Sequence, residues 1–216
     1  MKLIGDALSP YAARVMIAAR WKGVDLPCEA PEGGPRTAQH LASNPVGKVP
    51  VLIDDGLVLP ESDVIVSYLE DRFPTPTLFP GDAIQRANAR LLTRLLDTYS
   101  APSFGPFLQN DEREIAVAMQ RIADSLRYID HFRIDGRFAV GDAFSIADCA
   151  LIPFFHTFEG LQTMTQGRFK TYDLVRQYPR LQAWWERAKA SEIGAFARAA
   201  IDAAVAAFFA RSGRPT

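Results

Sequence analysis

Apolar and polar positions change their rhythm roughly a third of the way along the chain. Up to about residue 80, short apolar runs alternate with helix-period segments, and glycines and prolines fall between them, which is the pattern of strands and helices in turn. Residues 2–4 (Lys-Leu-Ile) predict a short strand. Ser9 as N-cap and Pro10 at the first helical position then open a helix through about Lys22, ended by Gly23. Residues 26–30 predict a second strand, and Pro27, which has no N–H to give, places it at a sheet edge or bulge. Residues 32–40 read as a loop with a short helix at most. Residues 49–53 and 57–59, joined by Asp54-Asp55-Gly56, predict a hairpin whose glycine takes the positive φ of a tight turn. Glu61-Ser62-Asp63 opens a helix to about Phe73, with Val64, Ile65, Tyr68 and Leu69 on one face.

The proline-rich stretch after Phe73 holds the chain extended and predicts a linker over residues 74–83. Beyond it no strand pattern appears. Helical periodicity runs at about 82–100, 111–132, 145–160, 178–190 and 193–211. Ser145-Ile146-Ala147-Asp148 has the spacing of a capping box. The expected architecture is therefore an α/β domain over 1–78, ordered βαβ then ββα, and an all-α domain over 84–216. The Ala- and Phe-rich last helix either covers a cleft or extends a core.

Composition narrows the classes. The chain has 216 residues, 48% of them hydrophobic and 23% charged, as in ordinary globular proteins. With 24 Lys and Arg against 25 Asp and Glu, the formal charge is −1, so neither nucleic acid nor an anionic membrane is an expected partner. No apolar run reaches the roughly 18–20 residues of a membrane span, and the N-terminus does not read as a signal peptide. Cys28 and Cys149 are the only cysteines, far apart and without metal-type spacing; no metal site and no disulfide framework is expected, and a reducing cytoplasm fits.

Four motifs in order carry a resemblance: Ser9-Pro10-Tyr11 at a strand-to-helix turn, residues 44–52 (Asn-Pro-Val-Gly-Lys-Val-Pro-Val-Leu), Glu61-Ser62-Asp63-Val64-Ile65, and residues 144–148 (Phe-Ser-Ile-Ala-Asp). Together they resemble the cytosolic glutathione S-transferase family over nearly the whole chain, in its serine-type classes. The resemblance implies a thioredoxin-like N-terminal domain, a helical C-terminal domain and a homodimer. It also implies glutathione as co-substrate and a small hydrophobic electrophile as its partner. Ser9 falls where these classes place the catalytic hydroxyl. With serine there and no cysteine beside it, a thiol-transferase mechanism is disfavoured.

Each part of glutathione finds a candidate in that reading. The start of the helix at Ser62, with unpaired N–H groups and a positive dipole end, suits the γ-glutamyl carboxylate, and Glu61 suits its ammonium. Val49, before the family's cis-proline, would bind the cysteinyl portion through its backbone. Lys48 suits the glycyl carboxylate; His40 reads as a surface loop residue. The Ser9 hydroxyl would donate to the thiolate as a hydrogen-bond donor, not a nucleophile, since no His/Asp pair is placed to activate it. For the electrophile, Tyr11, Tyr99, Phe104 and Phe107 are the aromatic candidates, in a pocket expected where the helical domain faces the sulfur. Isomerisation, dehalogenation and peroxide reduction use the same activated thiolate. The maleylacetoacetate isomerase type is disfavoured, because Leu8-Ser9-Pro10 stands where that type carries Ser-Ser-Cys. A non-catalytic binding protein on the same fold is the competing class, against which intact Ser9, Lys48, Glu61 and Ser62 argue.

Overall fold

The computed structural model describes residues 1–100, 112–133, 135–164 and 171–212. It divides into two compact units, Met1–Leu78 joined by the chain from Glu192 onward, and Phe79–Ser191.

In the first unit the elements run β1 (Lys2–Ile4), α1 (Pro10–Trp21), β2 (Cys28–Glu29), α2 (Ala38–Ser43), β3 (Val51–Asp54), β4 (Leu57–Pro60) and α3 (Ser62–Arg72). The sheet order is β2-β1-β3-β4. β2 runs parallel to β1, and β3 is antiparallel to both β1 and β4. The expected βαβ-ββα order is present, with α2 added between its halves. β2 is shorter than residues 26–30 because only Leu3 and Ile4 of the three-residue β1 find partners in it, Cys28 and Glu29. Pro27 lies just outside, its carbonyl accepting from Leu3 N at 2.8 Å. α1 and α3 pack together, and Leu3, Val15, Ile17, Leu52, Ile65 and Leu69 form the buried core.

Lys22 ties the end of this unit. Its buried ammonium donates to Glu70 Oε2 (2.6 Å) and to the carbonyls of Phe73 (2.6 Å) and Pro76 (2.9 Å). Glu70 in turn accepts from Thr77 Oγ1 (2.5 Å) and Leu78 N (2.9 Å). One lysine thus pins the stretch read as linker against α1.

The second unit holds α4 (Ala83–Leu95, continued by a π turn over Leu96–Ser100), α5 (Glu112–Phe132), α6 (Ile146–Met164), α7 (Thr171–Arg176) and α8 (Pro179–Ala190). α4 starts at a capping box that the sequence reading did not find, formed by Asp82 and Gln85. α7 was not expected either. The Ser145–Asp148 box forms as read: Ser145 Oγ accepts from Ala147 N at 3.3 Å, and Asp148 Oδ2 from Ser145 N at 3.0 Å. Asp148 Oδ1 also accepts from Ala139 N (2.8 Å) and Trp184 Nε1 (3.2 Å), so one buried carboxylate joins the start of α6 to α8. Phe154, Phe155, Phe158, Trp184 and Trp185 fill the core.

The last helix, α9 (Glu192–Ser212), lies within the stretch 84–216 that the sequence pattern assigns to the helical domain. It groups instead with the first unit. Ile201 packs on Ala7 and Ala13, small residues that need a cover, with Met16, Ala200, Ala204 and Val205 around them. Arg20 fixes the start of α9 by pairing with Glu192 at 3.0 Å and lying over the Phe196 ring.

Candidate functional site

The site is built on three backbone corners of the first unit. At the first, an Asx turn leads out of β1: Asp6 Oδ1 accepts from Leu8 N (2.9 Å) and Asp6 O from Ser9 N (3.2 Å). Ser9 then caps α1 in extended geometry (φ −84°, ψ 117°), its Oγ accepting from Ala12 N at 3.4 Å. Accepting that bond leaves the hydroxyl proton free to be given elsewhere. Capping and donation are therefore compatible in one side chain.

The second corner is the Val49-Pro50 turn before β3, with a cis peptide bond. Gly5, at the end of β1, lies between the two corners. A Cβ there would meet Ala12 Cβ at 3.2 Å, and Pro50 Cα and Val49 Cβ at 3.6 Å. The structure thus brings the start of α1 and the Val49 turn together across Gly5. Among the described residues neither the N–H nor the C=O of Val49 has a hydrogen-bond partner. Lys48 is exposed beside it.

The third corner is the entry to α3. Glu61 sits there with φ 70° and ψ 111° and caps without a side-chain bond. A left-handed backbone at a non-glycine residue costs about 1–3 kcal/mol and concentrates at functional sites. Ser62 is buried, and its Oγ accepts from Arg14 NH1 of α1 at 3.3 Å, which couples this corner to the helix that Ser9 starts. Arg14 also lies 5.5 Å from the centre of the half-buried Tyr11 ring.

Sequence reasoning misplaced His40. It is buried, not on the surface, because Arg36 N donates to its Nδ1 (3.3 Å) and Asn44 Nδ2 stands 3.3 Å from its Nε2. The strained backbone of Glu61 and the Arg14–Ser62 bond had no signal in the sequence, since both depend on where α1 and α3 meet. Tyr99 lies in the second unit, exposed at the π turn with its ring edge-on to Tyr128 at 5.6 Å. Phe104 and Phe107 lie outside the described residues.

Cys28 is the one described thiol with any exposure near these corners, donating to Gly5 O at 3.4 Å. Burial, then the charges of Asp6 and Glu29, push it up to about 11, so it stays protonated at neutral pH and is a poor nucleophile. Among the described residues no cluster of His, Cys, Asp and Glu could hold a metal ion, and no helix is long and apolar enough to cross a membrane. What the corners offer is a hydroxyl donor, a bare strand-like backbone, a lysine and a helix start within one unit. That set suits an extended, thiol-bearing peptide carrying carboxylates.

Comparison with known proteins gives the family. The glutathione S-transferase N-terminal domain family matches residues 3–77, and its C-terminal domain family matches residues 81–187. The chain belongs to the glutathione S-transferase family. Among curated relatives, a probable glutathione S-transferase of Nicotiana tabacum is 32% identical over 183 residues, 82% of this chain and 82% of its own. Among solved structures, a rice glutathione S-transferase in complex with glutathione is 30% identical with TM-score 0.74, covering 90% of this chain and 89% of that one. A bacterial maleyl pyruvate isomerase of the zeta class is 26% identical with TM-score 0.77, covering 93% and 98%. The N-terminal match takes in all three corners.

Proposed function

We propose that this protein is a glutathione transferase that binds glutathione, holds its thiol as thiolate and adds it to small hydrophobic electrophiles. The observation that carries the reading is the Ser9 hydroxyl. It caps α1 through its oxygen while keeping its proton to give, on a unit that belongs to this family. Likeness to the rice enzyme solved with glutathione supports the same co-substrate.

The chemistry needs the thiol pKa lowered from about 8.5 toward neutrality. Two units correspond to about 2.7 kcal/mol. A charge-assisted hydrogen bond from Ser9 supplies about 1.5–3 kcal/mol, and the start of α1 adds about 0.3–1 kcal/mol, so neither a base nor a metal is required. In this reading the start of α3 with Ser62 takes the γ-glutamyl carboxylate, Glu61 its ammonium, the Val49 backbone the cysteinyl portion as an added strand, and Lys48 the glycyl carboxylate. Tyr11 serves the electrophile. A homodimer in the cytoplasm completes the proposal.

A second reading on the same thiolate, glutathione-dependent isomerisation, is supported by the likeness to the maleyl pyruvate isomerase. It is opposed by Leu8-Ser9-Pro10 at the catalytic turn.

The test is a pH titration of thiolate absorbance for glutathione bound to the protein. An apparent pKa well below about 8.5 is expected. A bound thiol that titrates as in water, or no binding, refutes the reading and favours a non-catalytic protein.

A further inference from the structure

The segment between α2 and β3 is organised by a single side chain. Asn44 ends α2, with its N–H bonded to His40 O at 2.8 Å, and is 1% exposed. Its Oδ1 accepts from Val46 N at 3.2 Å, and its Nδ2 donates to Lys48 O at 2.8 Å while standing 3.3 Å from His40 Nε2. Its carbonyl accepts from Gly47 N at 2.9 Å. Gly47 itself has φ 67°, a conformation that any side chain would strain, and a Cβ on it would meet Leu41 Cδ2 at 2.8 Å.

We propose that Asn44 is a positioning residue that aims the Val49 N–H at glutathione. This rests on the glutathione reading above. The Lys48 carbonyl and the Val49 N–H belong to one peptide unit, and that unit is trans, the cis bonds being Val49-Pro50 and Thr75-Pro76. A planar trans peptide points its C=O and N–H in opposite directions. By holding the Lys48 carbonyl inward, Asn44 Nδ2 turns the Val49 N–H to the opposite side, away from Asn44. That N–H has no partner among the described residues, as required of a donor kept for a ligand strand. The Val46 N–H on Oδ1 and the Lys48 carbonyl on Nδ2 leave the Asn44 amide one orientation. Lys48 shares the peptide, but its side chain is exposed; the backbone donor is what Asn44 fixes.

The variant Asn44→Asp keeps the acceptor toward Val46 and replaces the donor toward Lys48 with an oxygen that repels the carbonyl. Dissociation constants are measured for glutathione and for γ-glutamylcysteine, which has the cysteinyl backbone but lacks the glycyl carboxylate. Asn44→Asp should weaken both by the same factor, about tenfold, whereas Lys48→Met should weaken glutathione only. Equal constants for wild type and Asn44→Asp, or a loss confined to glutathione, overturn the proposal. Glutathione that fails to bind even the wild type refutes the underlying reading, a distinct result. A measurement on the unaltered protein guards against a variant that does not fold. On saturation with glutathione, the Val49 amide resonance should move more than that of Val46, whose N–H is already engaged. A Val49 resonance that stays in place while glutathione binds also overturns the proposal.

Discussion

The structure shows Ser9 capping α1, the proposed function adds donation to a thiolate, and replacing Ser9 by alanine and by glycine separates the two. As a cap it accepts from Ala12 N at 3.4 Å, long for an N–H···O bond, so Ser9→Ala should cost about 0.5–1 kcal/mol, the low end for lost caps. Glycine is tolerated at an N-cap, and Ser9→Gly should cost only about a few tenths of a kcal/mol. As a donor to a thiolate the hydroxyl is worth about 1.5–3 kcal/mol, and both variants lose it entirely. The apparent pKa of bound glutathione should therefore rise by about one to two units in each. Turnover at a pH below both values should fall about ten- to hundredfold, with glutathione affinity nearly unchanged. The assay pairs the thiolate titration with turnover of chlorodinitrobenzene and with thermal melting. Equal loss of activity in the two variants, with a larger loss of stability in the alanine one, is the expected signature. If activity instead follows stability, and the bound thiol keeps its pKa in both, Ser9 is a helix cap and the proposed mechanism is wrong.

Four further outcomes follow from the buried and half-buried polar groups. Lys22→Met removes a fully buried ammonium from Glu70 and two carbonyls, and leaving those acceptors unpaired should cost about 3 kcal/mol in urea unfolding; a loss below about 1 kcal/mol would show that water replaces the lysine. At Glu70, burial alone would raise the carboxyl, but bonds from Lys22, Thr77 and Leu78 outweigh it and hold the group below its usual 4.5. Its stabilisation is thus whole above that value and lost as pH falls through the lower folded one, a slope that Glu70→Gln should flatten. Asp148→Ala strands the N–H groups of Ala139, Ser145 and Trp184 and should cost at least about 3 kcal/mol, read by urea unfolding followed through tryptophan fluorescence. Burial pushes the Asp148 carboxyl up to about 6 against those bonds, so the native state holds its proton more tightly than the unfolded chain, and this group's contribution falls as pH rises from about 4 to 6. Alkylation of Cys28 at neutral pH should run at least about tenfold slower than for a free thiol, counted by mass spectrometry; labelling at the free-thiol rate would contradict its raised pKa.

The sequence by itself determined whatever depends on near neighbours. Ser9-Pro10 can only start a helix well, Asp54-Asp55-Gly56 can only turn, and Ser145 with Asp148 satisfies the free N–H groups of a helix start from residues within one turn. The order of strands and helices in the first unit, and the helical run of the second, were legible for the same reason. Tertiary structure decided what depends on where separate elements meet. His40 is bonded by near neighbours, Arg36 and Asn44, each four positions away, but its burial was set by how the chain folds around it and not by the polarity of those neighbours. Ser62 receives its bond from Arg14 across 48 positions of chain, and Lys22 reaches Pro76 across 54. α9 joins the first unit because Ala7 and Ala13 leave space that only a residue far along the chain, Ile201, comes to fill. Local rules fix φ, ψ and caps through bonds a few residues long. The side a ring or an ammonium faces is set by burial against whatever the fold brings opposite, and no local pattern encodes that partner.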